Sequence, residues 1–198
     1  ELAIKYVIPK YQREYTWRKE NWDDLFNDIK GENDSEEGPF LGSIICVNKT
    51  TDVFSLVLEI IDGQQRLTTI SLLYAAIHAR LSIEKKDDDE SKSELINLKY
   101  RLVQKKRPKE TKLELSYQNN NFEDYKEILE ESGILEVKDG KPKNLGNRRL
   151  YKAYSFFCTK LEPYLFNDVR KLLDKINSSH IIKIEVNTNS DAFNLFES

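Results

Sequence analysis

The sequence predicts an α+β domain: a small sheet with flanking helices, running on into a mainly helical region. Residues 40–47 and 53–61 are continuous, β-rich apolar runs around a turn at Asn48-Lys49-Thr50-Thr51-Asp52, which reads as an antiparallel hairpin. Directly after it, Leu67, Ile70, Leu73, Tyr74, Ile77 and Leu81 recur at helical spacing. The composition agrees: 198 residues hold only 7 Gly and 5 Pro, with 39% hydrophobic and 33% charged residues, which suits a helix-rich folded chain. The length divides into a core over 1–82 and a helical region over 83–198.

In chain order, residues 4–8 alternate apolar and polar up to Pro9, a short strand. Tyr11 to Trp17 follow as an extended loop. Trp22, Leu25, Phe26 and Ile29 stand at i, i+3, i+4 and i+7 and predict a helix, with Thr16 as its cap and the acidic stretch 31–38 closing it. After the hairpin and its helix, Lys85 to Ser93 reads as a charged loop. Residues 94–104 predict a helix, 111–116 a strand, 122–131 a further helix, and 138–144 a turn. A long helix starts at Asn147, with Leu150, Tyr154, Phe157 and Leu161 on one side. Residues 166–176 predict another helix, 180–186 a strand, and Asp191 starts a last helix. The chain stops inside that pattern and contains no Met, as a fragment of a longer protein would.

Net charge is −3, so no global basic field calls for nucleic acid. Two local basic stretches could still meet a phosphate backbone: Lys99, Arg101, Lys105, Lys106, Arg107 and Lys109, and then Lys141, Lys143, Arg148, Arg149 and Lys152. A solvated charged face accounts for them more simply. Cys46 and Cys158 lie far apart in apolar runs without CxxC spacing, which argues against a cysteine zinc site and for buried thiols in a reducing cytoplasm. No apolar run approaches the roughly 20 residues of a membrane helix. His78 and His180 have no ligand cluster nearby and read as structural.

Chemistry concentrates where the second hairpin strand runs into its helix, at Asp62-Gly63-Gln64-Gln65-Arg66-Leu67-Thr68-Thr69. Asp62 and Gln65 stand three apart, as in a capping box. Gly63 permits a sharp turn and close approach of a ligand. The first helical turn offers unpaired N–H groups and partial positive charge, which favour phosphate. Arg66 adds a planar cation for phosphate oxygens, and Gln64 can donate to a phosphate or position a water. An ordinary capped helix with Arg66 in a surface ion pair fits these residues equally well.

A second element, Tyr11-Gln12-Arg13-Glu14-Tyr15-Thr16-Trp17, places aromatics and an Arg in a loop after a strand. Arg13 could hold a second phosphate, and Tyr11 or Tyr15 could stack on a base. Trp17 and Trp22 read as core residues.

Together, Ile8-Pro9-x-Tyr11-Gln12-Arg13-x-Tyr15-x-Trp17, then Phe40-Leu41-Gly42-Ser43-Ile44, then Ile61 to Thr69 resemble the N-terminal domain of GmrSD-type restriction proteins. Asp191-Ala192-x-x-Leu195-Phe196-Glu197-Ser198 is similar to a later motif of that family. The resemblance implies a ParB/sulfiredoxin-like fold that binds and hydrolyses a nucleoside triphosphate with Mg²⁺. Its nucleotide-binding set would be Tyr11, Gln12, Arg13, Asp62, Gly63, Gln64, Gln65, Arg66 and Thr68, with Asp62, Gln64 and Arg66 catalytic. It further implies a cytoplasmic phage-defence setting, DNA reached through the full-length protein, and an HNH nuclease domain in the same or a partner chain, with no membrane partner. A non-hydrolysing sensor of nucleotide or modified DNA, and a ParB-like DNA nuclease, are the competing expectations.

Overall fold

The computed structural model describes residues 3–31, 38–83, 89–117, 120–137 and 148–191. The elements run β1 (Ala3–Val7), α1 (Lys19–Lys30), β2 (Phe40–Asn48), β3 (Ser55–Asp62), α2 (Gln64–Ile83), α3 (Asp89–Leu102), β4 (Leu113–Glu114), α4 (Asn121–Glu131), α5 (Arg149–Leu161), α6 (Phe166–Ser178) and β5 (His180–Val186). The predicted α+β class is found.

One five-stranded sheet has the order β4-β1-β3-β2-β5. The expected hairpin is its centre: β2 and β3 are antiparallel, with a register shift between Ile45 and Cys46. Parallel neighbours complete it, β1 on β3 with Val7 opposite Glu59, and β5 on β2 with Val47 opposite Val186. Both β4 and β5 come from beyond residue 82, so each part of the chain contributes strands to the same sheet.

Helix α2 is apolar on nearly every side, with Leu72, Leu73, Ala75 and Ile77 fully buried. A helix of that kind belongs in a core. It carries α5, whose Tyr154, Phe157 and Leu161 lie in the same apolar cluster as Trp22, Phe26 and Ile29 of α1. The aromatic rings of Phe26, Phe156, Phe157 and Tyr164 meet at centroid distances of 5.3 to 6.3 Å. The only two histidines divide: His78 is buried and its ring Nδ1 donates to the Ser132 carbonyl at 2.8 Å, whereas His180 is exposed at the start of β5.

Four local expectations are corrected. Thr16 does not cap α1: Arg18 is the N-cap, with Asn21 Oδ1 accepting its backbone N–H at 3.0 Å. The charged stretch at 85–93 is helical from Asp89 onward, because Asp89 and Glu90 suit a helix start and Glu90 and Glu94 pair with Arg170 of α6. The strand at 111–116 shrinks to Leu113–Glu114, since Thr111 bridges back to Val103 instead. Tyr15 is buried, which removes it from stacking on a base. The turn at 138–144 and the motif residues 192–198 lie outside the described residues.

Candidate functional site

The turn between β3 and α2 is set by steric necessity. Asp62 is still a strand residue, opposite Ile45. Gly63 follows at φ +85°, where a Cβ would stand 2.7 Å from Ile44 Cγ2 and 2.8 Å from the Ser43 carbonyl oxygen. Only glycine fits that conformation in that space. The helix begins at the next residue, and the Gly63 carbonyl accepts the Leu67 N–H at 3.0 Å. The amides ahead of that bond have no partner within the helix.

The capping box expected between Asp62 and Gln65 does not form. Asp62 lies too far back on the strand, and Gln65 turns toward the Tyr-Gln-Arg loop. Gln65 Oε1 accepts the N–H groups of Thr16 (2.8 Å) and Trp17 (3.2 Å), while its Nε2 donates to the Glu14 carbonyl at 2.9 Å. Gln64 Nε2 donates to Gln12 Oε1 at 3.2 Å, and Gln12 Nε2 donates to the Ile61 carbonyl at 2.8 Å. Below them a polar chain runs through the core. Trp22 Nε1 donates to Tyr15 Oη (2.8 Å), Tyr15 to Thr69 Oγ1 (2.7 Å), and Thr69 to the Gln65 carbonyl (2.8 Å). Burial pushes the Tyr15 hydroxyl well above its usual range, so it remains a donor. Tyr11 Oη donates to Glu59 at 2.8 Å, and burial together with that carboxylate pushes it up to about 12. The two motifs are therefore each other's partners, and most of their polar atoms are satisfied within the pair.

What remains free is informative. The Arg13 side chain is exposed and makes no hydrogen bond or ion pair among the described residues. It lines a small depression of about 20 Å³ together with Gln64, Gln65 and Thr68 of the first α2 turns, and Ser116 and Asn121. Gln64 Oε1 and the Thr68 hydroxyl make no hydrogen bond among the described residues, nor does the Asp62 carboxylate. Arg66 points elsewhere. Its Nη1 donates to the Ser43 carbonyl at 3.2 Å, and it lies on Gly42, where a Cβ would stand 2.6 Å from the guanidinium. There it lines an open groove of about 360 Å³ with Trp17, Asp24, Asp28 and Phe40. The predicted residues thus split. Tyr11, Gln12, Gly63 and Gln65 build the frame; Arg13, Gln64 and Thr68 face one depression; Arg66 faces another; Asp62 stands at the strand end.

Over residues 1–198, its whole length, the chain matches the family described as GmrSD restriction endonuclease, N-terminal domain. It belongs to that family. No curated protein matches the chain. As a GmrSD N-terminal domain, it is part of a restriction protein, a defence against foreign DNA. Among the described residues no helix is long and apolar enough to cross a membrane, and no three His, Cys, Asp or Glu side chains cluster as a metal site.

The site of this GmrSD domain contains two residues that carried no signal in the sequence. Ser116 and Asn121 reach the depression only because β4 pairs with β1, bringing Glu114 beside Val7. The Asp62 carboxylate, unpartnered among the described residues, is a hard oxygen donor of the kind Mg²⁺ takes, but it does not line the depression with Arg13.

Proposed function

We propose that this domain binds the phosphates of a nucleoside triphosphate between Arg13 and the first turn of α2, and hydrolyses it to control a nuclease. The observation that carries the reading is the Arg13 guanidinium, unpaired among the described residues, lining the same depression as Gln64, Gln65 and Thr68 of the first α2 turns. A free planar cation opposite unpaired helix amides is an anion-binding arrangement. Gln64 supports turnover: Gln12 fixes its amide through Nε2 and leaves Oε1 to accept a hydrogen bond from an attacking water. Mg²⁺ bound with the triphosphate would neutralise charge on the phosphates. Hydrolysis then requires positioning and charge stabilisation more than covalent chemistry.

A non-hydrolysing sensor is the second reading, favoured by how completely Gln65 is held and by Arg66 lining a separate groove from Arg13. Purified protein with a nucleoside triphosphate and Mg²⁺ separates the two. Phosphate release that disappears in Arg13→Ala and Gln64→Ala supports hydrolysis. Saturable binding with no phosphate release supports the sensor, and no binding at all refutes both hydrolysis and a nucleotide sensor, leaving a sensor of modified DNA.

A further inference from the structure

We propose that the groove between α4 and α5 is a second phosphate subsite, continuous with the one at Arg13. This rests on the reading of Arg13 as a phosphate ligand. The groove measures about 510 Å³, a size that holds a small ligand, and it shares Tyr15 and Asn121 as walls with the Arg13 depression. Its cations are Arg148 and Arg149 at the start of α5 and Lys152 one turn on.

Each cation stands differently. Arg148 is tied to the buried Asp124, whose carboxyl is pushed up by burial and pulled back by the guanidinium. Arg149 Nη1 donates to the Thr16 carbonyl at 3.2 Å, which anchors it to the motif loop, and it makes no ion pair among the described residues. Lys152 is exposed and has no partner among the described residues. Facing them are Asn120, Asn121 and Glu14, while Tyr15 is too buried to offer a ring face. Cations and side-chain amides without a stacking surface recognise phosphate oxygens better than a base. A ligand spanning both subsites carries more than one phosphate: either the polyphosphate tail of a nucleotide or the backbone of a nucleic acid.

Lys152→Ala tests this, with Lys171→Ala on the exposed side of α6 as control and thermal unfolding to show that both variants fold as the parent does. Binding is measured for a nucleoside monophosphate, the corresponding triphosphate and a single-stranded oligonucleotide. Lys152→Ala is expected to weaken the triphosphate or the oligonucleotide roughly 5-fold or more and to leave the monophosphate unchanged, as loss of one charged phosphate contact implies. The ligand that weakens names the source, and for the oligonucleotide the salt slope also falls by roughly one. Lys152→Ala binding all three ligands as the parent and the control do would overturn the subsite. If Arg13→Ala still weakens binding in that case, only the subsite falls. Unchanged binding by Arg13→Ala overturns the phosphate reading and the subsite with it.

Discussion

At the scale of single residues, Gln65 shows how a motif side chain can be taken up entirely in holding a neighbouring loop. Its amide holds two backbone N–H groups and one carbonyl of the loop that carries Arg13. Gln65→Ala leaves those groups unpaired and is expected to lower stability by about 2–4 kcal/mol, read from denaturant midpoints. It should also weaken phosphate binding, since Arg13 loses its fixed support. Gln65→Glu keeps the acceptor but loses the donor to Glu14, so rescue should be incomplete. None of this was legible in the sequence. The spacing of Asp62 and Gln65 suggested a cap, and only the long-range approach of residues 11–17 shows that Gln65 points outward from its own helix. The place of Arg66 was not legible either: the helix turns it onto Gly42 and Ser43, where it lines a different groove from Gln64 and Thr68. Arg13 could be read from the sequence only as a cation in a loop; that it has no partner among the described residues comes from the structure.

At the scale of elements, the β3-α2 junction was the most legible feature, because the strand, the glycine and the helical period are all local. Gly63 and Gly42 both hold positive φ, +85° and +97°, with close neighbours where a Cβ would go. Gly63→Ala and Gly42→Ala are each expected to cost about 2–4 kcal/mol, from backbone strain and a forced shift of neighbours. Gly42→Ala should in addition displace Arg66, which crystallography of the variant would show. Helix α2 also carries a pH-sensitive contact to α4 through His78 and Ser132. Burial lowers the His78 pKa below its ordinary value near 6.5, outweighing the hydrogen bond that raises it. The imidazole therefore binds fewer protons folded than unfolded, so its contribution is complete above about pH 6.5 and declines as pH falls through the window beneath that value. His78→Gln should flatten that part of the stability curve, measured by chemical denaturation between about pH 7.5 and about pH 5.5. The elements read poorly from sequence were those without a local signal. The two-residue β4 depends on its pairing with β1, and the start of α3 depends on Arg170 from α6.

At the scale of the whole molecule, the sheet draws strands from both ends of the chain, and that closure brings the Tyr-Gln-Arg loop over the start of α2. The α+β class followed from periodicity, whereas the strand order did not, since parallel pairing of β1 with β3 and of β2 with β5 leaves no mark within either segment. The result is a frame of satisfied hydrogen bonds beside which Arg13 has no partner among the described residues, and the proposed phosphate site stands or falls with that residue. Calorimetric titration of a nucleoside triphosphate into the parent and into Arg13→Ala, both shown to unfold at the same temperature, tests it most directly. Saturable binding by the parent and a loss of about 10–100-fold in the variant are expected, the worth of a charge-assisted contact. Equal affinity in the two proteins would contradict the proposed site.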